Sequence, residues 1–169
     1  MANAAWLLAR RRIHLPSNHV GLRIRFADGT SAAVYRETVV EGVEPSEACS
    51  LVVQFRLRVV RGAGHRAFRR ESLLNTPLFV GFPGFISKLW LAHDQRNVYR
   101  GIYDWDGTES AERYARTLWR VLELGCLPSS IHYRVIPEVR RDQLLAQSGL
   151  IDATGPDAAT AWWRPISTA

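Results

Sequence analysis

The chain has 169 residues, of which 47% are hydrophobic and 22% charged, a length and composition that give one domain with a real core and exclude a disordered tail protein. Its formal charge of +6 at pH 7 invites an anionic partner, but apart from Arg10-Arg11-Arg12 the arginines are scattered along the sequence. No groove-reading or base-stacking motif accompanies them, so nucleic acid is not an expected partner.

The apolar start Ala4-Ala5-Trp6-Leu7-Leu8-Ala9 precedes its arginines, the reverse of a secretory signal, and no stretch approaches the length of a membrane span. Cys49 and Cys126 have neither close spacing nor a flanking histidine pair, which predicts free thiols in place of a zinc site or disulfide framework. The expected location is the cytoplasm, with no membrane partner. Residues 1–48 read as an extension carrying a β-hairpin. Leu22-Arg23-Ile24-Arg25-Phe26 alternates, Asp28-Gly29 supplies a tight type I′ turn, and a second run extends from Ala32 to Val40. The segment from Gly42 to Ser50 holds Pro45 and several acidic residues without periodicity, and reads as a linker.

Over residues 49–139 the pattern is strand, helix, strand, strand, helix, strand. Ser50 to Val60 places Leu51, Val53, Phe55, Leu57 and Val59 on one face and Val52, Gln54, Arg56 and Arg58 on the other. The spacing predicts a helix from Gly64 to about Leu78, buried through Phe68, Leu73 and Leu74. Asn75 either caps it or faces a pocket. After the turn Gly81-Phe82-Pro83-Gly84 comes a strand over Phe85 to Leu91, joined by a hairpin around His93 to Arg96 to another over Asn97 to Trp105. Thr108 is a plausible N-cap for a second helix with the stripe Ala111, Tyr114, Ala115, Leu118 and Leu122, stopped by Gly125. The last strand runs from Ser130 to Ile136. Residues 140–169 form a short helix and a tail whose Trp162-Trp163 pair should pack on the domain or on a partner subunit.

Lys88 is the only lysine in the chain. Strand alternation sets Ile86, Lys88 and Trp90 against Ser87, Leu89 and Leu91. A cation beside an indole on an inner face suggests a pocket, although a snorkelling lysine on an exposed face reads the same way. If Lys88 and Trp90 share a face with Gln54, Arg56, Tyr103, Trp105 and His132, aromatic walls meet a few cations and donors, a mixture suited to a planar anionic or phenolic molecule. Gly101, flanked by Tyr99, Tyr103 and Trp105 on its face, leaves room for something flat. His132 is the candidate base because histidine titrates near neutral pH, and Lys88 the group that stabilises an enolate or phenolate. Phe79, Phe82 and Phe85 around the Pro-Gly turn either plug the core or form a lid.

The β-α-β-β-α-β order is the ferredoxin-like arrangement of the α+β class, with both helices on one face of an antiparallel sheet. Pro83-Gly84-Phe85, Lys88-Leu89-Trp90, Gly101-Ile102-Tyr103 ahead of Trp105-Asp106, and Ala111-Glu112-Arg113-Tyr114 resemble the YdhR-type monooxygenases of the dimeric α+β barrel superfamily, which also holds antibiotic-biosynthesis monooxygenases and haem-degrading relatives. The likeness covers about half of the chain. It implies a homodimer with two sheets packed face to face and, in each subunit, a pocket between the sheet and its helices or loops. It also implies a monooxygenase-like or cyclase-like enzyme that needs no cofactor or metal and acts on a small aromatic or polyketide-like molecule. A ligand-binding or interaction module of the same fold is the alternative. Trp105 stands where haem-degrading relatives carry a pocket tryptophan, but the rest of their haem site has no counterpart, so haem is the lesser expectation.

Overall fold

The computed structural model describes residues 13–58, 81–146 and 161–169. The helix expected over residues 64–78, with Asn75, and also Phe79 lie outside the described residues. Strands β1 (Ile13–His14), β2 (Arg23–Phe26) and β3 (Ser31–Val40) precede β4 (Ala48–Arg56), β5 (Phe85–Leu91) and β6 (Val98–Asp106). Helix α1 (Thr108–Gly125), β7 (His132–Pro137), the short helix α2 (Arg141–Ala146) and β8 (Pro165–Thr168) follow.

Among the described residues the strands form one 8-stranded sheet in the order β7-β4-β6-β5-β3-β2-β8, with β1 beside β3. All its pairs are antiparallel. Counted from β4, the central strands lie fourth, first, third, second, which is the ferredoxin-like order. The N-terminal hairpin continues that sheet, because β3 pairs with β5 from Val34 to Val39.

The hairpin turn differs from the type I′ expectation. Phe26 N donates to Thr30 O at 2.9 Å and Gly29 N to Phe26 O at 3.0 Å, and Gly29, at φ 82°, is the left-handed residue whereas Asp28 is not. This is a type I turn closed by a glycine bulge. The Asp28 carboxylate supports it by accepting from Thr30 N at 3.0 Å and Thr30 Oγ1 at 2.7 Å. The expected linker is also shorter than its composition suggests. Asp106 Oδ1 accepts from Ser46 N, Ser46 Oγ and Glu47 N at 2.8–2.9 Å, and β4 starts at Ala48.

Helix α1 is capped by Gly107 at φ 87°, with Thr108 as its first residue. Gly107 N donates to Glu47 O at 2.8 Å, a bond that holds this glycine in the cap position Thr108 was expected to take. The buried stripe Ala111, Tyr114, Ala115 and Leu118 is the expected one. The last strand starts at His132, later than expected, because Pro128–Ser130 forms a 3-10 turn with proline in its first positions.

Each sheet face carries a core. On the first, Val40, Cys49, Leu51, Val53, Phe85, Trp90, Tyr103 and Trp105 pack against the α1 stripe. On the second, Ile24, Phe26, Val34, Val52, Leu89, Leu91 and Ile102 pack with Leu144 and Leu145 of α2, and Trp162 and Trp163 close over them. The second face is the one a partner copy would cover in a face-to-face barrel. Here β2, α2 and the tryptophan pair of the same chain pack on it.

Candidate functional site

The first face owes its composition to two bulges. In β3 the register shifts between Val34 and Arg36, so Tyr35 and Val40 join the first core whereas Val34 belongs to the second. In β5 it shifts between Phe85 and Ser87, with Phe85 opposite Trp105 and Lys88 opposite Tyr103. Gly84 sets up that bulge: at φ 83°, a Cβ there would lie 2.6 Å from Asp106 O.

Lys88 sits between Thr38 of β3 and Tyr103 of β6 and is 4% exposed. Its Nζ lies 3.1 Å from the Trp90 ring centroid and 4.7 Å from that of Tyr103. Trp90 is fixed by its Nε1–H, which donates to Thr38 Oγ1 at 3.0 Å, and it also receives the Arg36 guanidinium, with Cζ 4.0 Å from the ring. Two basic groups therefore share one indole. Burial, and then the charge of Arg36, push the Lys88 amine well below the ordinary lysine value. Burial also lowers the pKa of Arg36.

Beyond Lys88 the face is aromatic. Tyr114 donates its hydroxyl to the Tyr103 hydroxyl at 3.2 Å. Its ring is 4.8 Å from Trp105 and 5.3 Å, edge-on, from Phe82. Burial raises the pKa of both tyrosines, so both are neutral phenols. The space expected over Gly101 is taken by Tyr103, since a Cβ on Gly101 would lie 2.8 Å from Tyr103 Cε2. Trp105 is fully buried, and its Nε1–H has no hydrogen-bond partner among the described residues. An unpaired buried donor costs about 1–3 kcal/mol unless a ligand accepts from it.

Of the expected site residues, Lys88, Trp90, Tyr103 and Trp105 thus share the first face, with Phe82 at its α1 end. Gln54, Arg56 and His132 do not join them. In an antiparallel ladder paired residues share a face, and Gln54 is paired with both Arg100 and His132, whereas Tyr103 is paired with Leu51. The expectation aligned the polar stripe of β4 with Lys88, but the register aligns the apolar stripe with it. His132 is exposed, its Nε2 3.2 Å from Ser129 O and its ring 6.0 Å from Trp162. Arg36, Thr38 and Tyr114 were not expected at the site. Arg36 and Thr38 alternate with Glu37 and Val39 along β3, a pattern that puts the two on one face without saying which strand lies beside them.

The second face carries its own buried charges. Glu37 lies between His19 Nδ1 at 2.9 Å and Arg141 Nη1 at 3.1 Å, the latter an ion pair without hydrogen-bond alignment. Asp104 accepts from the Arg141 backbone N at 2.6 Å and from Ser87 Oγ at 3.1 Å. Near the hairpin turns, Arg100 bridges Asp94 and Asp28 at 2.8 Å each.

The ladder order and helix placement define a ferredoxin-like α+β protein with a lysine-bearing aromatic site on its helix side. No family model and no curated protein matches the chain. Among solved structures, it is similar to an uncharacterised ferredoxin-fold protein related to antibiotic biosynthesis monooxygenases from Listeria monocytogenes. That likeness covers 79% of this chain and 85% of that one, at 13% identity and a TM-score of 0.46. An anthrone oxidase-like protein is similar over 66% of this chain and 58% of its own length, at 9% identity and a TM-score of 0.39. No helix among the described residues is long and apolar enough to cross a membrane.

Proposed function

We propose that the protein is a cofactor-independent, monooxygenase-like or cyclase-like enzyme, related to the YdhR-type families, that acts on a small aromatic or polyketide-like molecule in the cytoplasm. The observation that carries this reading is the Lys88 amine, 4% exposed and 3.1 Å from the Trp90 ring centroid. Burial and the Arg36 charge disfavour the ammonium form, which suits the amine to accept a proton from a phenol or enol. The anion so formed faces the new ammonium and Arg36, and the aromatic walls give its ring a stacking surface. Trp105 Nε1–H supplies a donor for a carbonyl or phenolic oxygen. An electron-rich anion of this kind reduces oxygen without a cofactor: a CH2 group and O2 yield a C=O group and water, the electrons coming from the substrate.

His132, exposed on the opposite face, has no part in this step, and neither do Gln54 and Arg56. The homodimer implied by the resemblance would set a partner copy on the second face, where β2, α2 and the tryptophan pair of this chain pack. Oxygen uptake across a panel of phenols and quinols tests the reading. We expect uptake with some of them and a loss of about 100-fold or more in Lys88→Met that keeps its circular dichroism spectrum. Saturable binding without uptake by the wild-type protein would assign the site to a ligand-binding module instead.

A further inference from the structure

Strand β3 meets the site in its observed form only because it is bulged. Val34 is paired with Leu91, and both pack in the second core. Continued without a break, that ladder would pair Tyr35 with Trp90, Arg36 with Leu89 and Glu37 with Lys88, and paired residues share a face. The carboxylate would then stand opposite the amine, with Arg36 and Thr38 turned away from the site. Instead the register shifts between Val34 and Arg36, so that Arg36 is paired with Trp90, Glu37 with Leu89 and Thr38 with Lys88.

A bulge interrupts the ladder, and contacts made only in the bulged register have to offset that cost. On the first face, Trp90 Nε1–H donates to Thr38 Oγ1 at 3.0 Å, a bond that is lost if Thr38 turns over. On the second face Glu37, 2% exposed, lies between His19 Nδ1 at 2.9 Å and Arg141 Nη1 at 3.1 Å. The two arms come from separate elements, the loop before β2 and helix α2, and converge on one carboxylate. Without them Glu37 is a poorly compensated buried charge, and one residue of register separates it from Lys88.

We propose that Glu37 is a positioning residue that locks the register of β3: His19 and Arg141 hold its carboxylate on the second face, which keeps it from Lys88 and sets Arg36 and Thr38 against Trp90. Release of the lock moves the bulge along β3 beyond Glu37 and lets the carboxylate pair with the lysine. The inference concerns the regulation of the site in the proposed function and rests on Lys88 as its centre, but not on the oxygen chemistry.

Because Lys88 is the only lysine, the full chain carrying lysine isotope-labelled at Cε gives a single NMR signal from that side chain. Nζ lies 3.1 Å from the Trp90 ring centroid, so the ring current displaces the signal upfield of its position in the same chain in urea. In folded Arg141→Gln we expect it to move back toward the urea position, as the amine leaves the indole for Glu37. Adding Glu37→Gln to that variant removes the carboxylate and should restore the wild-type position, a rescue that a merely structural role of Arg141 does not give. Where Arg141→Gln fails to fold, His19→Ala, which removes the other arm from a surface loop, is read in the same way and with the same rescue. A folded variant whose signal stays at the wild-type position, or moves and is not restored by Glu37→Gln, overturns the proposal. Wild-type oxygen uptake is recorded separately, and its absence removes the oxygenase reading while the register result stands.

Discussion

The two faces of one sheet bury their charges in different ways. On the second face the Arg141 guanidinium forms ion pairs with Glu37 and Asp104, whose carboxylates find hydrogen bonds at His19, at Ser87 and at the Arg141 backbone N, so opposite charges are brought together. One residue along the same strands, on the first face, Arg36 and Lys88 lie against one tryptophan, so two basic groups are brought together on a ring. Charges buried with their complements define which segments dock where. Burial and the Arg36 charge disfavour the charged form of Lys88, and groups whose pKa is moved in this way mark candidate sites. The second face holds α2 and the tryptophan pair against the sheet, and the first is the face on which the proposed site lies.

The largest effect should come from breaking the network on the second face. Arg141→Leu leaves Glu37 buried with His19 alone and takes from Asp104 a guanidinium 3.9 Å away, and we expect a loss of about 3–5 kcal/mol in urea unfolding. A loss below about 1 kcal/mol would mean that the network relaxes into water, and the contrast between the faces would fail.

The first face should respond with the opposite sign. The folded-state pKa of Lys88 lies below its ordinary 10.5, so between those two values the unfolded chain binds more protons than the folded one, and stability rises with pH. Lys88→Met removes that slope. The variant should melt at a higher temperature than the wild type at neutral pH, and the difference should shrink as pH rises toward 10. Equal melting temperatures throughout would show that the amine is not penalised by its surroundings.

The sequence made the central fold legible because alternation and helical spacing are local signals. The runs Phe85–Leu91 and Ala111–Leu118 appear in the structure as read, and Asp28-Gly29 marked a hairpin even though its turn type differs. Register was not legible. Every residue of β5 is buried, so either stripe of β4 can be laid beside Lys88 on pattern alone, and the choice of the polar one misplaced Gln54, Arg56 and His132. The role of β3 was hidden for a related reason. A hairpin before a recognisable core reads as an addition to it, and nothing local says that Arg36 and Thr38 will stand beside Trp90 and Lys88.

The smallest effect on stability is expected at Trp105, and it separates packing from ligand recognition on the first face. The indole is fully buried, and no group among the described residues replaces the water that folding strips from its N–H. Trp105→Phe removes that penalty of about 1–3 kcal/mol while giving up part of the ring volume packed on Tyr114 and Phe85, which costs a comparable amount. The two terms oppose each other, and the net change in urea unfolding should stay within about 1 kcal/mol. Affinity for a phenolic or carbonyl ligand should fall about fivefold or more, because a hydrogen bond contributes about 1 kcal/mol or somewhat more. A variant that loses stability heavily and binds as before would make Trp105 a core residue like Leu51, leaving Lys88, Trp90 and Tyr103 as the whole of the site.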